Sequence, residues 1–297
     1  MNKPNRIQLR LLKAIGTQAQ AAFTETRTTE RADQQGQRLS VGWYEDVQRR
    51  GELRGALESA ASAGGVPQEW IDLARTRGEY GMAWRRDVHW RDPAQIDRAA
   101  LVSELGSDVL SVLGMAAVGA AYSEWGARNE VGTAQLFDRK LHRLGERVRA
   151  VSTLLAVTAE EAAPWNTDRL LTAAAGAVGH ADRDEVADWW RSYASTDREA
   201  YEGQAHALAH AGITGGNAAH LLAPPEQIVA RMRDFLTANP ALGPDGHRTR
   251  APAQIGHVIA AAFPRNTGPR PAEPDTLRSN LPPDTGAHTT SERDAGL

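Results

Sequence analysis

Glu202, His206 and His210 recur every four residues in YEGQAHALAH, which places one carboxylate and two imidazoles on a single helix face, and His220 follows after a turn. Two imidazoles at that spacing can ligate zinc. The HExxH arrangement of metalloproteases is missing, however, because no acid follows His206 to act as general base. Scattered surface or interhelix histidines account for the pattern better, so no metal or other cofactor is expected. Nor does any Ser, His and Asp set stand in a nucleophile context such as GxSxG. With no catalytic residue to name, the expectation is a non-enzymatic protein, and a metal-dependent enzyme is a distant third reading.

Basic residues offer a different chemistry, the neutralisation of phosphates. Arg6, Arg10 and Lys13 fall together on a helical wheel, roughly 130° from an apolar face of Ile7, Leu11, Ala14, Ile15 and Ala22, which Gln18 weakens. No acid precedes Glu25, so this stripe is locally uncompensated. Arg139, Arg143 and Arg147 form a second stripe at i, i+4 and i+8, successive members about 6 Å apart along the axis. Asp138 and Glu146 dilute its field, and a solvated coiled-coil flank explains it at least as well. Both stripes are candidate contacts for nucleic acid or a partner, and the first has the stronger local charge.

A third candidate is PQEWIDLARTRGEYGMAWRRDVHWRDP, residues 67 to 93, where Trp70, Trp84 and Trp90 alternate with arginines as in single-strand binding platforms. In a chain with only 6% aromatic residues, eight tryptophans are also the main large core fillers, and Trp70 and Trp84 are expected inside. Residues 208 to 222, LAHAGITGGNAAHLL, resemble a helix-turn-helix at Ala211, Gly212, Ile213, Ala218 and Leu221. Gly215 and Gly216 would begin the recognition helix, where base-reading side chains are needed, and this counts against it.

These residues must be positioned by helices. The 297-residue chain is 41% hydrophobic and 24% charged, ordinary values for a globular protein. A formal net charge of −3 excludes a surface that coats nucleic acid or anionic lipid throughout, leaving only a local patch. Lys3, Lys13 and Lys140 are the only lysines, an arginine bias that cheapens each Arg as a signal. Cysteine is absent, which removes disulfides and thiolate chemistry and suits a cytoplasmic protein. The longest weakly polar stretch, VLSVLGMAAVGAAY at 109 to 122, is too short to span a bilayer, and Arg10 and Lys13 interrupt any amino-terminal signal.

Periodicity predicts helices over 6 to 23, 43 to 62, from Pro67 through the tryptophan stretch, and from Ile96 to about Trp125. Residues 24 to 38 read as a solvated helical extension or a linker. The most regular pattern follows: Phe137, Leu141, Leu144, Val148, Val151 and Leu155 alternate four and three apart, the seam of a bundle or coiled coil. On the preceding helix Gly114, Ala117, Gly119, Ala120 and Ala121 offer a smooth face for close approach. Thr158 with Glu161 makes a capping box ended by Pro164. Shorter helices are expected near 168 to 178, 183 to 194 and 197 to 211, with Asp182 and Thr196 as caps, then 225 to 240 and 252 to 262. Residues 264 to 297 hold six of fifteen prolines and few large aliphatic residues, so disorder is expected there. No strand pattern, glycine-rich phosphate loop or internal repeat is present, which removes Rossmann, P-loop and solenoid readings.

GVPQEWIDLARTRGEYGMAWR, MAAVGAAY at 115 to 122 and LAVTAEEAAPW give residues 66 to 165 a further meaning. That third of the chain resembles a family of uncharacterised proteins encoded on actinobacterial plasmids and other mobile elements. The resemblance implies an all-helical accessory protein and supplies no catalytic residues.

The expectation is therefore an all-α protein: a basic amphipathic arm and polar linker over 1–39, a helical bundle over 40–165, a second helical region over 166–263 and a disordered tail over 264–297. Its expected role is that of a mobile-element accessory protein binding DNA or a DNA-processing protein, with candidate contacts Arg6, Arg10, Lys13, Arg139, Arg143 and Arg147. The alternative is a protein-interaction or oligomerisation module, joining another protein or a second copy through helical packing.

Overall fold

Asparagine at position 5 starts the first helix. Its side chain accepts hydrogen bonds from the amides of Ile7 and Gln8, both 2.9 Å, and Gln8 answers through its own side chain to the Asn5 amide at 3.0 Å. This reciprocal cap satisfies amides that a helix otherwise leaves open. The structure is a computed structural model that describes residues 3–85, 88–125, 131–165, 167–196, 199–218 and 221–239. Among these residues every regular element is a helix and there is no strand, so the fold is all-α. The helix expected near 252 to 262 and the tail lie outside the described residues.

From Asn5 the helix α1 runs Arg6–Gln34, taking the extension rather than the linker form through the polar stretch. It buries Leu11, Leu12, Ile15 and Ala19 completely, against α3 (Gln68–Glu79) and α2 (Val41–Ala63). The α1 and α3 backbones cross at glycine. A methyl on Gly78 would collide with the Gly16 carbonyl and with Ala19, so glycine is required at that point.

Sequence periodicity carried α3 through the tryptophan stretch, but the helix stops at Glu79. Gly81 takes φ of +70°, and the Met82 amide turns back to the Arg77 carbonyl at 3.0 Å. A left-handed residue ends a helix cheaply only where there is no Cβ. Met82, which a continued helix would place four residues beyond Gly78 on its buried face, is thereby exposed. The chain then folds back over α3. Trp90 meets Trp70 edge-on at 5.9 Å and Trp84 at 6.1 Å, and the Trp70 indole donates to the Arg91 carbonyl at 2.8 Å. Trp70 and Trp90 are buried and Trp84 packs against the core, so the three rings are interior fillers.

α4 (Arg98–Glu124) and α5 (Val131–Leu155) form the centre. All six seam residues of α5, from Phe137 to Leu155, are buried. On α4 the expected smooth face is used: a Cβ on Gly119 would lie 2.9 Å from the Phe137 ring, so Phe137 rests on bare backbone. α4 also carries an 18-residue window of mean hydropathy 1.5, enough by length and composition alone to cross a membrane. That window is 61% buried by neighbouring helices, as in the core helix of a bundle. α7 (Thr167–Gly179), α8 (Arg183–Ser195) and α10 (Pro225–Ala238) pack on α4, while α9 (Glu199–His210) packs on α5 and α2. Tyr122 of α4 stacks on Trp190 of α8 at 4.1 Å, and Phe137 sits 5.7 Å from the same indole.

Capping signals mostly landed where expected. Asp182 and Glu185 close a capping box on α8, and Pro225 opens α10 at its first turn. Thr196 serves the other end of its neighbour: it is the C-cap of α8, its amide bonding to Ser192 at 2.8 Å. Thr158 and Glu161 cap the single-turn α6 (Ala159–Ala162). Glu161 does more, because Arg98 grips its carboxylate at 2.7 and 2.8 Å while donating to the carbonyl of Leu155 at 2.8 Å. The start of α4 is so tied to the end of α5. Arg98, then the Thr158 amide, hold the Glu161 carboxyl down at about 2.

Leu144 is 1% exposed at the middle of the seam, and Leu144→Ala should cost about 2 to 5 kcal/mol in chemical denaturation, the range for a buried large-to-small change. An unchanged midpoint would remove the seam from the core. Glu161 carries a pH signature. Its folded value lies below the ordinary 4.5, so its stabilisation is complete above that pH and is lost as pH falls through about 2. Glu161→Gln should therefore be less stable than wild type at pH 7, with the gap narrowing below pH 4.5 and closing near 2. A gap independent of pH would break the link to ionisation.

Candidate functional site

Two arginine-rich stripes compete for the role of binding surface, and the structure treats them oppositely. On α5, Arg139 lies 4.0 Å from Glu202 and Arg143 is 2.7 Å from Glu146. Arg147 is 7% exposed: it pairs with Asp108 of α4, donates to Gln204 at 2.6 Å and lies 4.4 Å over the Tyr201 ring. Gln204 in turn donates to Ser59 of α2 at 2.7 Å. One buried cation thus joins α2, α4, α5 and α9. Lys140 is likewise turned inward, its ammonium bonded to the Ala194 carbonyl at 2.6 Å. Every member of this stripe has a carboxylate beside it, and Arg147 does not reach the surface.

On α1 the reverse holds. Arg6, Arg10 and Lys13 are exposed, opposite the buried Leu11, Leu12 and Ile15. No carboxylate stands within the first 24 residues. Arg10 donates instead to a backbone carbonyl, that of Gly212, at 2.8 Å. This contact joins the start of the chain to the turn after α9, and no periodicity in either stretch announces it.

That turn is the suspected helix-turn-helix, and it takes another form. Gly212 has φ of +68° and Ile213 is buried, as a turn would have them, but a four-residue 3-10 segment, Gly215–Ala218, stands where a recognition helix would begin. Gly215 lies against α5 so closely that a methyl would overlap Arg149, whose guanidinium donates to the Gly215 carbonyl at 3.3 Å. Two glycines at a helix start are poor helix formers, and here one of them is required for contact. From Gly203 to Pro225 the sequence again contains no acid. Two acid-free stretches, distant in sequence, therefore meet through Arg10, and Arg149 of α5 reaches the same turn.

The histidine pattern gains nothing from the fold. His206 and His210 are exposed, Glu202 faces Arg139, and no group of three metal-ligating side chains exists among the described residues. His220 lies outside them. A groove of about 740 Å³ runs between the first half of α4 and the segment from α6 to the start of α7, walled by Val102, Leu110, Trp165 and Leu170 and lined also by Arg98 and Glu161. Sequence reading missed it, because its walls come from three helices.

The pairing of Arg147 is testable by removing its partner. Arg147 is buried and Asp108 nearly so, 8% and 13% exposed, so Asp108→Ala strands a charge and should cost about 3 to 5 kcal/mol. Asp108→Leu combined with Arg147→Met should recover most of that loss, since an apolar pair needs no counter-charge. Equal destabilisation in the single and double variants would show that packing, rather than the unpaired charge, sets the cost.

Against known proteins the comparisons are empty: no protein family, no curated protein and no solved structure matches this chain.

Proposed function

We propose that this chain is a non-enzymatic accessory protein of a mobile element that binds duplex DNA through the exposed face of α1. The observation that carries the reading is the contrast in charge compensation. The α5 stripe of Arg139, Arg143 and Arg147 is neutralised by Glu202, Glu146 and Asp108. Arg6, Arg10 and Lys13 stand exposed on an acid-free half-helix that is seated on the core by Leu11, Leu12 and Ile15. Cations held on a rigid helix without local counter-charges suit a polyanion, and they do so in a protein whose net charge of −3 leaves no general affinity for one. The mobile-element context rests on the resemblance of residues 66 to 165.

A second reading is favoured by a separate observation. The groove between α4 and the segment from α6 to α7 is walled mainly by apolar side chains, as the surface of an interaction module would be. Salt separates the two, because phosphate contacts release counterions and an apolar contact does not.

The test is the dependence of duplex binding on salt. Each phosphate contact contributes about 0.9 to the slope of log affinity against log salt, so replacing Arg6, Arg10 and Lys13 with Ala together should reduce it by nearly three units. Wild-type binding that is absent, or whose slope the triple variant leaves unchanged, would overturn the assignment to α1.

A further inference from the structure

Arg10 and Arg149 come from α1 and α5, and both rest on the same short turn. Arg10 donates to the carbonyl of Gly212 and Arg149 to that of Gly215, three residues on. Neither forms an ion pair with a carboxylate of the described residues, unlike Arg139, Arg143 and Arg147. Arg149 is half-buried, and its Nε is shut off from solvent without any hydrogen-bond partner. A guanidinium in that position has lost part of its hydration and received only one backbone carbonyl in return, which is a poor exchange for a full charge. The Nε itself is closed to any ligand, but the charge of each head is balanced by no carboxylate of the described residues, and an anion placed against the heads would supply that balance.

We propose that Arg10 and Arg149, held on the turn from Gly212 to Gly215, form a phosphate-binding site for the backbone of duplex DNA, adding α5 and this turn to the surface of α1. The inference rests on the DNA-binding reading above and adds residues to it. Guanidinium suits the task because its planar fork can meet two oxygens of one phosphate, while the backbone carbonyls fix where the fork points. A polyanion fits better than a free phosphate ion, because Arg6 and Lys13 flank Arg10 at i−4 and i+3 on the same exposed face. The three span about 10 Å of helix axis. Contacts of this kind position a duplex without reading its sequence, since no side chain named here pairs with a base edge.

The experiment measures duplex affinity against salt for the full chain. Two unrelated duplexes of equal length are used, and inorganic phosphate is tested separately against chloride at matched ionic strength. Arg149→Gln should lower the salt slope by about 0.9 while the slope lost in the α1 variant is lost in addition. Thr214→Glu, an exposed change on the turn that leaves the core untouched, should weaken both duplexes alike and lower the slope in the same direction. Arg149→Lys should keep the slope and lose affinity, because the charge remains and the fork does not. Wild-type slopes in both Arg149→Gln and Thr214→Glu, with the α1 variant still impaired, would overturn this site and leave the α1 reading standing. Saturable stabilisation by inorganic phosphate, lost in Arg149→Gln, together with an unchanged DNA slope, would overturn the duplex as ligand. No duplex binding by wild type would overturn both readings.

Discussion

Phe137 lies on the bare backbone of Gly119, and the arrangement of the other helices depends on that contact. A Cβ at 119 would lie 2.9 Å from the Phe137 ring, so the ring would have to shift at the point where the apolar surfaces of α4 and α5 close on each other. Once they close, Trp190 is caught between Tyr122 and Phe137 and α8 is fixed. Asp108 is brought to Arg147, and through Gln204 and Ser59 the same cation reaches α9 and α2. A buried ion pair contributes little net stability when an apolar pair could replace it, but breaking it is expensive. Its effect here is directional: α4 must bring Asp108 and α9 must bring Gln204 and the Tyr201 ring to the same point on α5.

The same close packing decides which charges remain available. Helices that meet over small residues bring their flanking side chains within reach of one another, so arginines beside a seam acquire carboxylate partners. Arg139 meets Glu202 of α9 in that way, and Arg147 meets Asp108 of α4, while Arg143 pairs within its own helix with Glu146. α1 escapes because of its composition, since neither its first half nor the turn it touches contains an acid. Uncompensated charge at that place follows from sequence, whereas its juxtaposition with Arg149 follows from the fold.

Much of the helical order was legible because it is local. The seam from Phe137 to Leu155, the boxes at Thr158 and Asp182 and the proline at the head of α10 are settled within one or two turns, where periodicity and capping act. The misreadings share a cause. α3 stops at Gly81 because the chain must fold back to bring Trp90 onto Trp70, and a four-residue period cannot report that demand. Thr196 sits between two helices, and its residue type suits the N-cap of the second although it closes the first. Arg147 looked like the solvated flank of a coiled coil, for its Asp108 partner lies 39 residues earlier on a helix with no other sign of a buried charge. The candidate site was half legible: the α1 stripe was visible, and the turn that meets it resembled a different motif.

That resemblance itself has a physical explanation. A helix, a glycine turn and a small-residue segment are what a recognition motif needs, and they are also what a chain needs in order to lay backbone flat on a neighbouring helix. Gly215 against Arg149 is the second case, since the glycine there makes room for α5 rather than flexing a turn toward DNA. The carbonyls exposed by this flat passage, Gly212 and Gly215, are the ones that take the two guanidinium groups. Backbone carbonyls orient a guanidinium without neutralising it, as a carboxylate would. A protein that must keep a cation both fixed and attractive to anions is therefore better served by a glycine-rich turn than by an ion pair, and the acid-free sequence from Gly203 to Pro225 preserves that condition along the whole segment.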